Sequence, residues 1–201
     1  MSNTNTPFGF KWLGVNRGGG PATFSLVPRK VAAANTTPIY RGDVVQSLST
    51  GYVAIGAAGI TASQCAGIFW GVEYLSTSQG RNVFSNYWPS GDHAYDGNAL
   101  ILPLIGTSPN LFMVQATLTN FAFADIGQNC DISVGTGTVT SGYGVSGMTL
   151  DKSTAGTTAT LPFRVIDLYS SIAPAGTNGT DDANNYNIVI VQSNPAQETG
   201  I

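Results

Sequence analysis

Short runs of Val, Ile, Thr and aromatic residues recur along this chain between clusters of Gly, Pro, Asn and Ser, and helical periodicity is scarce. Strand-length runs punctuated in this way are the pattern of an all-β sandwich or barrel. The candidate strands are 23–27, 38–41, 43–47, 51–55, 67–75, 99–105, 111–118, 131–134, 161–169 and 186–192. In the last of these, Ile188, Ile190 and Gln192 alternate with Asn187, Val189 and Val191. Both faces therefore carry apolar groups, which predicts a central strand. A length of 201 residues suits one all-β unit. The expected architecture is a single β-sandwich or barrel-like domain over 23–201, with long Gly/Thr/Asn-rich loops, preceded by an extended arm over 1–22.

The surface of such a domain has to be wetted, and charge does little of that here. Lys and Arg number 8 and Asp and Glu 11, together 9% of the chain, against about 25% in ordinary soluble domains. Neutral polar groups take their place: 22 Thr, 17 Ser and 15 Asn beside 25 Gly. A coat of this kind suits close packing among many copies, because few charges lose water at each contact. The net charge of −3, with no cluster of cations, argues against a nucleic-acid partner. The longest apolar runs, 65–72 and 99–105, fall well short of the ~18 residues of a membrane helix. Residues 1–7 lack the basic start and apolar stretch of a secretory signal, so synthesis in the cytosol is expected. There Cys65 and Cys130 are expected to stay reduced, as buried small apolar groups.

The arm carries Phe8, Phe10 and Trp12 at alternating positions, next to Pro7 and Gly9. In an extended strand such rings share one side. Burying them would release roughly 5–9 kcal/mol gross, and ordering about ten residues costs a similar amount. The arm is therefore expected to add affinity to a docked body, not to hold a partner alone. Whether it lies on its own domain as an edge strand, on a neighbouring subunit or lattice, or is disordered stays open at this level. Two further stretches read as long surface loops, 135–147 and 173–185, and long loops in an assembling protein are natural contact surfaces. From them Gly142, Tyr143, Asn178, Asp181 and Asn184 are the candidate contact residues.

Residues 142–147 match G-x-G-x-x-G, but no helix follows, so a glycine-rich loop is the better reading. His93 lies between Asp92 and Asp96 in what reads as a polar turn. Arg41-Gly42-Asp43 reads as a tight turn between strands. The carboxylates are scattered, and Asp181 and Asp182 lack the ligand spacing of an EF-hand loop. No catalytic constellation, metal site or cofactor is expected.

Residues 2–10, Ser-Asn-Thr-Asn-Thr-Pro-Phe-Gly-Phe, resemble the opening of head decoration (cement) proteins of tailed bacteriophages, which start with a short polar stretch and then Pro-Phe-Gly. The body is similar too, at 39–45, 66–74, 124–132, 148–151 and 161–166. The resemblance implies a β-rich virion protein on the outer surface of a phage head. Its partners would be the major capsid protein and further copies of itself, as a homotrimer or other homo-oligomer, and it would stabilise the shell against internal DNA pressure. The slight acidity suits the outer surface better than the DNA-facing one.

The contact residues then expected are Pro7, Phe8, Phe10 and Trp12 from the arm, with the loop residues named above. Trp70, Tyr87 and Trp88 are expected to serve packing or interface. The rival readings are another virion part (major shell, head-fibre or tail subunit) and a carbohydrate-binding adhesin module built on Tyr87, Trp88 and the polar loops.

Overall fold

The computed structural model describes residues 3–15, 25–104, 110–117, 119–169 and 184–194. Its first eight strands are β1 (Lys11–Val15), β2 (Val27–Val31), β3 (Ile39–Tyr40), β4 (Val44–Ser47), β5 (Val53–Ile55), β6 (Cys65–Ser76), β7 (Arg81–Ser85) and β8 (Tyr87–Trp88). The remainder are β9 (Gly97–Pro103), β10 (Asn110–Gln115), β11 (Asn129–Ser133), β12 (Thr138–Thr140), β13 (Tyr143–Val145), β14 (Thr149–Gly156), β15 (Phe163–Leu168) and β16 (Ile188–Ser193). Among the described residues the only helical elements are single 3₁₀ turns at Ala62–Gln64 and Phe123–Asp125.

Two six-stranded antiparallel sheets dominate. The first runs β1-β10-β16-β15-β11-β14, and the second β2-β9-β6-β4-β5 with β7 added on β6. The all-β expectation holds, and the arrangement is sandwich-like without a closed barrel. The first sheet curls far enough for Ala116, just beyond β10, to bridge Leu150 of β14. β16 lies between β10 and β15, the central place its two apolar faces predict.

The main core fills the space between the sheets. Phe112, Val114, Ile132, Leu150, Phe163, Val165, Val189 and Val191 of the first sheet meet Val44, Cys65, Ile68 and Leu102 of the second. A second core covers the other face of the second sheet, where Val45, Phe69, Val72, Ala99 and Ile101 pack with Ile39 and Trp88 of the β3–β8 ribbon. Being sandwiched between two cores explains why β6 and β9 read as nearly unbroken apolar runs. The Trp88 indole N–H is satisfied at 2.9 Å by the Asn35 carbonyl, so complete burial costs it no hydrogen bond.

Several expectations need correction. The 135–147 stretch is not a plain loop: Thr138–Thr140 pairs with Tyr143–Val145 across Ser141-Gly142. Both turn residues have positive φ, 51° and 79°, as a two-residue hairpin turn demands. Of the 23–27 candidate, residues 23 and 24 lie outside the described residues, and β2 starts only at Val27 and runs through Pro28 to Val31. Its place at the edge of the second sheet is what tolerates that proline. β7, β8 and β14 were not anticipated at all. Most of β7 is exposed, and β14 passes through the polar sequence Asp-Lys-Ser-Thr.

Candidate interface groove

The N-terminal segment is bound into the domain from its first described residue. The Gln115 amide accepts from the Thr6 N–H (3.1 Å) and donates to the carbonyls of Thr4 (2.9 Å) and Tyr186 (3.2 Å). β1 then adds to the edge of the first sheet against β10, and the Trp12 indole N–H reaches Asn110 Oδ1 at 2.9 Å. Phe10 is 3% exposed. Its ring stacks on Phe163 at 4.5 Å between centroids and meets Phe112 edge-on at 6.5 Å.

The expectation that all three rings share one side of an extended strand is therefore corrected. Gly9 has a φ of 71°, which interrupts the strand alternation. Phe10 and Trp12 join the main core, while Phe8 does not. Phe10 is thus a core residue of its own chain and offers a partner little surface. A β-bulge between Trp12 and Gly14 leaves Leu13 as the extra residue, 43% exposed.

The turn at Arg41-Gly42-Asp43 holds this segment in place. Gly42, with φ at 95°, accepts the Phe10 N–H at 2.8 Å and donates to the Phe69 carbonyl at 2.9 Å. Asp43 is buried beneath the turn, accepting from the Tyr40 N–H (2.7 Å) and the Ser146 hydroxyl. Burial pushes its carboxyl up to about 6, although these two hydrogen bonds pull the other way. Ser146 in turn accepts from the Met148 N–H at 3.0 Å. One buried carboxylate thereby joins the turn to the chain just after the β12–β13 hairpin. The hairpin is also clamped by Asn86, whose amide donates to the Gly144 carbonyl (2.8 Å) and accepts from its N–H (3.2 Å).

Between the N-terminal segment and this hairpin lies an open groove of about 730 Å³. Phe8, Phe10, Lys11 and Trp12 form one side, and Arg41, Trp70 and residues Tyr143 to Val145 the other. Met113, Tyr169 and Ile188 complete the lining. Successive residues of a strand point to opposite faces. Lys11 pairs with Met113 across β1 and β10, and Met113 and Ile188 point away from the core face that carries Phe112 and Val189, so the hollow extends from β1 over the outer face of the first sheet.

Trp70 owes its position to a bulge in β6 between Phe69 and Gly71. Its neighbour Phe69 is buried in the second core, while the indole is re-aimed at the groove. The Arg41 guanidinium lies 3.5 Å from the centre of that ring, and its Nη1 is 3.4 Å from the Tyr143 hydroxyl. Lys11 and Arg41 are the only charged lining residues among those described, and no carboxylate stands with them.

Of the sequence-predicted contact residues, Phe8, Phe10, Trp12 and Tyr143 meet in this groove. Pro7 is partly buried beside them in sequence, and Gly142 occupies the hairpin turn. Asn184 accepts from the Asn3 amide at 3.5 Å, at the far end of the N-terminal segment. Asn178 and Asp181 lie outside the described residues. Lys11 and Arg41 were missed as contact residues, the first being a lone cation and the second part of a turn sequence that points only to structure, whereas Trp70, expected for packing or interface, lines the groove.

Elsewhere the chemistry is quiet. His93 Nε2 lies 2.8 Å from the Ala33 carbonyl, and the ring packs on Trp88 at 4.2 Å. Cys65 and Cys130 are free and buried, and burial pushes both thiols up to about 12. No group of His, Cys, Asp or Glu among the described residues could hold a metal ion. Trp88 is fully buried and so offers no platform for a sugar, which takes that residue out of the rival adhesin reading. No family model matches the chain, and neither the curated proteins nor the solved structures contain a match to it.

Proposed function

We propose that this chain is a virion structural protein that decorates and stabilises the outer surface of a tailed-phage capsid, in contact with the major capsid protein and with further copies of itself. One observation carries this reading: the N-terminal segment and the 135–147 segment, chosen independently as contact surfaces, converge on a single open aromatic groove. Charged residues make up only 9% of the chain, and elsewhere on it Phe84, Tyr95 and Phe123 are more than half exposed. Such side chains favour burial against a neighbour. The resemblance of residues 2–10 and of the body to phage head decoration proteins supports the same conclusion.

Cosedimentation with undecorated phage heads tests it directly. Wild-type protein should be retained, and Phe8→Ser with Tyr143→Ser should reduce retention while leaving the thermal melt close to wild type. A wild-type protein that stays in the supernatant while folded would overturn the proposal. Thermal shifts across a panel of sugars address the adhesin alternative, and none is expected.

A further inference from the structure

We infer that the groove accepts an acidic, extended peptide segment of a neighbouring protein. This deepens the proposed capsid contact and rests on the groove being that contact.

The charge of the lining is one-sided. Lys11 and Arg41 face the groove with no carboxylate in its walls, on a chain whose net charge is −3. The single ion pair among the described residues, Lys152 with Asp125, lies elsewhere, so neither groove cation is neutralised by a described partner. Arg41 is also held still. Its guanidinium is stacked on Trp70 and directed toward the Tyr143 hydroxyl, which fixes its donors before any ligand arrives. A guanidinium with donors prepared in this way is suited to a carboxylate.

Shape separates a peptide from a compact anion. The hollow reaches from β1 across β10 to β16, and beside the two cations its floor includes the apolar Met113 and Ile188. A small ion would leave that floor wet. An extended chain that alternates acidic and apolar side chains would place carboxylates at Lys11 and Arg41 and cover the rest.

The test uses the full chain and its own tryptophan fluorescence. Trp12 and Trp70 line the groove, whereas Trp88 is sealed in the second core. A ten-residue peptide alternating Val and Glu should change the emission saturably, and added salt should weaken it. Lys11→Glu, on an exposed side chain, and Arg41→Gln should each raise its Kd, by about tenfold for the charge reversal. Unchanged thermal melts of both variants would confirm that they fold.

A Val–Gln peptide that binds equally well would overturn the inference, as would unaltered affinity in Lys11→Glu. Glucuronic acid or inorganic phosphate giving the same change at the same concentration would overturn the choice of a peptide. Heads that retain the protein while no acidic peptide binds would refute this inference and leave the capsid reading standing. Peptide binding without head retention would do the reverse.

Discussion

Replacing Phe10 by Ala asks whether the N-terminal segment is part of the domain or an appendage to it. The ring is 3% exposed and sits against Phe163 and Phe112, with its backbone N–H bound to Gly42. Deleting a fully buried Phe side chain typically costs about 3–5 kcal/mol, combining lost transfer energy with the cavity left behind. Aromatic pairing of this kind supplies roughly 0.5–1.5 kcal/mol of such a loss. For a chain of this length, 1 kcal/mol moves Tm by about 2–4 °C. The variant should therefore melt on the order of 6–20 °C lower, and its guanidinium midpoint should fall while the m-value stays constant. Phe8→Ala is the internal control: it lies outside the core cluster and should cost less than ~1 kcal/mol. A Phe10→Ala protein within about 1 kcal/mol of wild type would mean that the segment is not packed into the core, and the account of the groove's near wall would fail with it.

Two more predictions concern the turn that anchors this segment. Asp43 has its folded-state carboxyl raised from 3.8 to about 6, so the folded protein binds the proton more tightly than the unfolded chain. Its contribution to stability is therefore fully present below about pH 4 and is lost as pH rises through 6. The span is about two units, roughly 3 kcal/mol. Asp43→Asn should flatten the denaturation midpoint between pH 4 and 7, and an unchanged slope in that window would contradict the burial argument. Gly9→Ala would place a Cβ 2.4 Å from Ser146 Cβ at a φ of 71°. A cost of about 1–3 kcal/mol is expected in thermal melts, and a neutral substitution would show that the segment passes the turn by another route.

Much of the fold was legible along the chain, for particular reasons. β6, β9 and β16 announce themselves because each has a strand on either side and carries apolar residues on both faces, so their apolar runs are nearly continuous. β2 and β14 were hidden because edge strands carry polar and even Pro residues at little cost, which erases alternation. β12 and β13 were hidden because Gly and Thr serve a hairpin and a loop equally well. The spacing of Phe8, Phe10 and Trp12 was visible, but the left-handed Gly9 that splits them between groove and core was not, since glycine adopts either sign of φ freely.

Composition and local pattern alone determined the all-β class, the scarcity of charge and the absence of any familiar catalytic motif, because these depend on residue type and near-neighbour spacing. Tertiary structure decided where the N-terminal segment goes and what the groove contains. Lys11, Arg41, Trp70 and Tyr143 come from four separate places in the chain. They meet only through strand order, one bulge in β6 and the buried Asp43 beneath a turn. Contacts of that kind are set by the registers of strands far apart in sequence, and no local pattern of side chains encodes them.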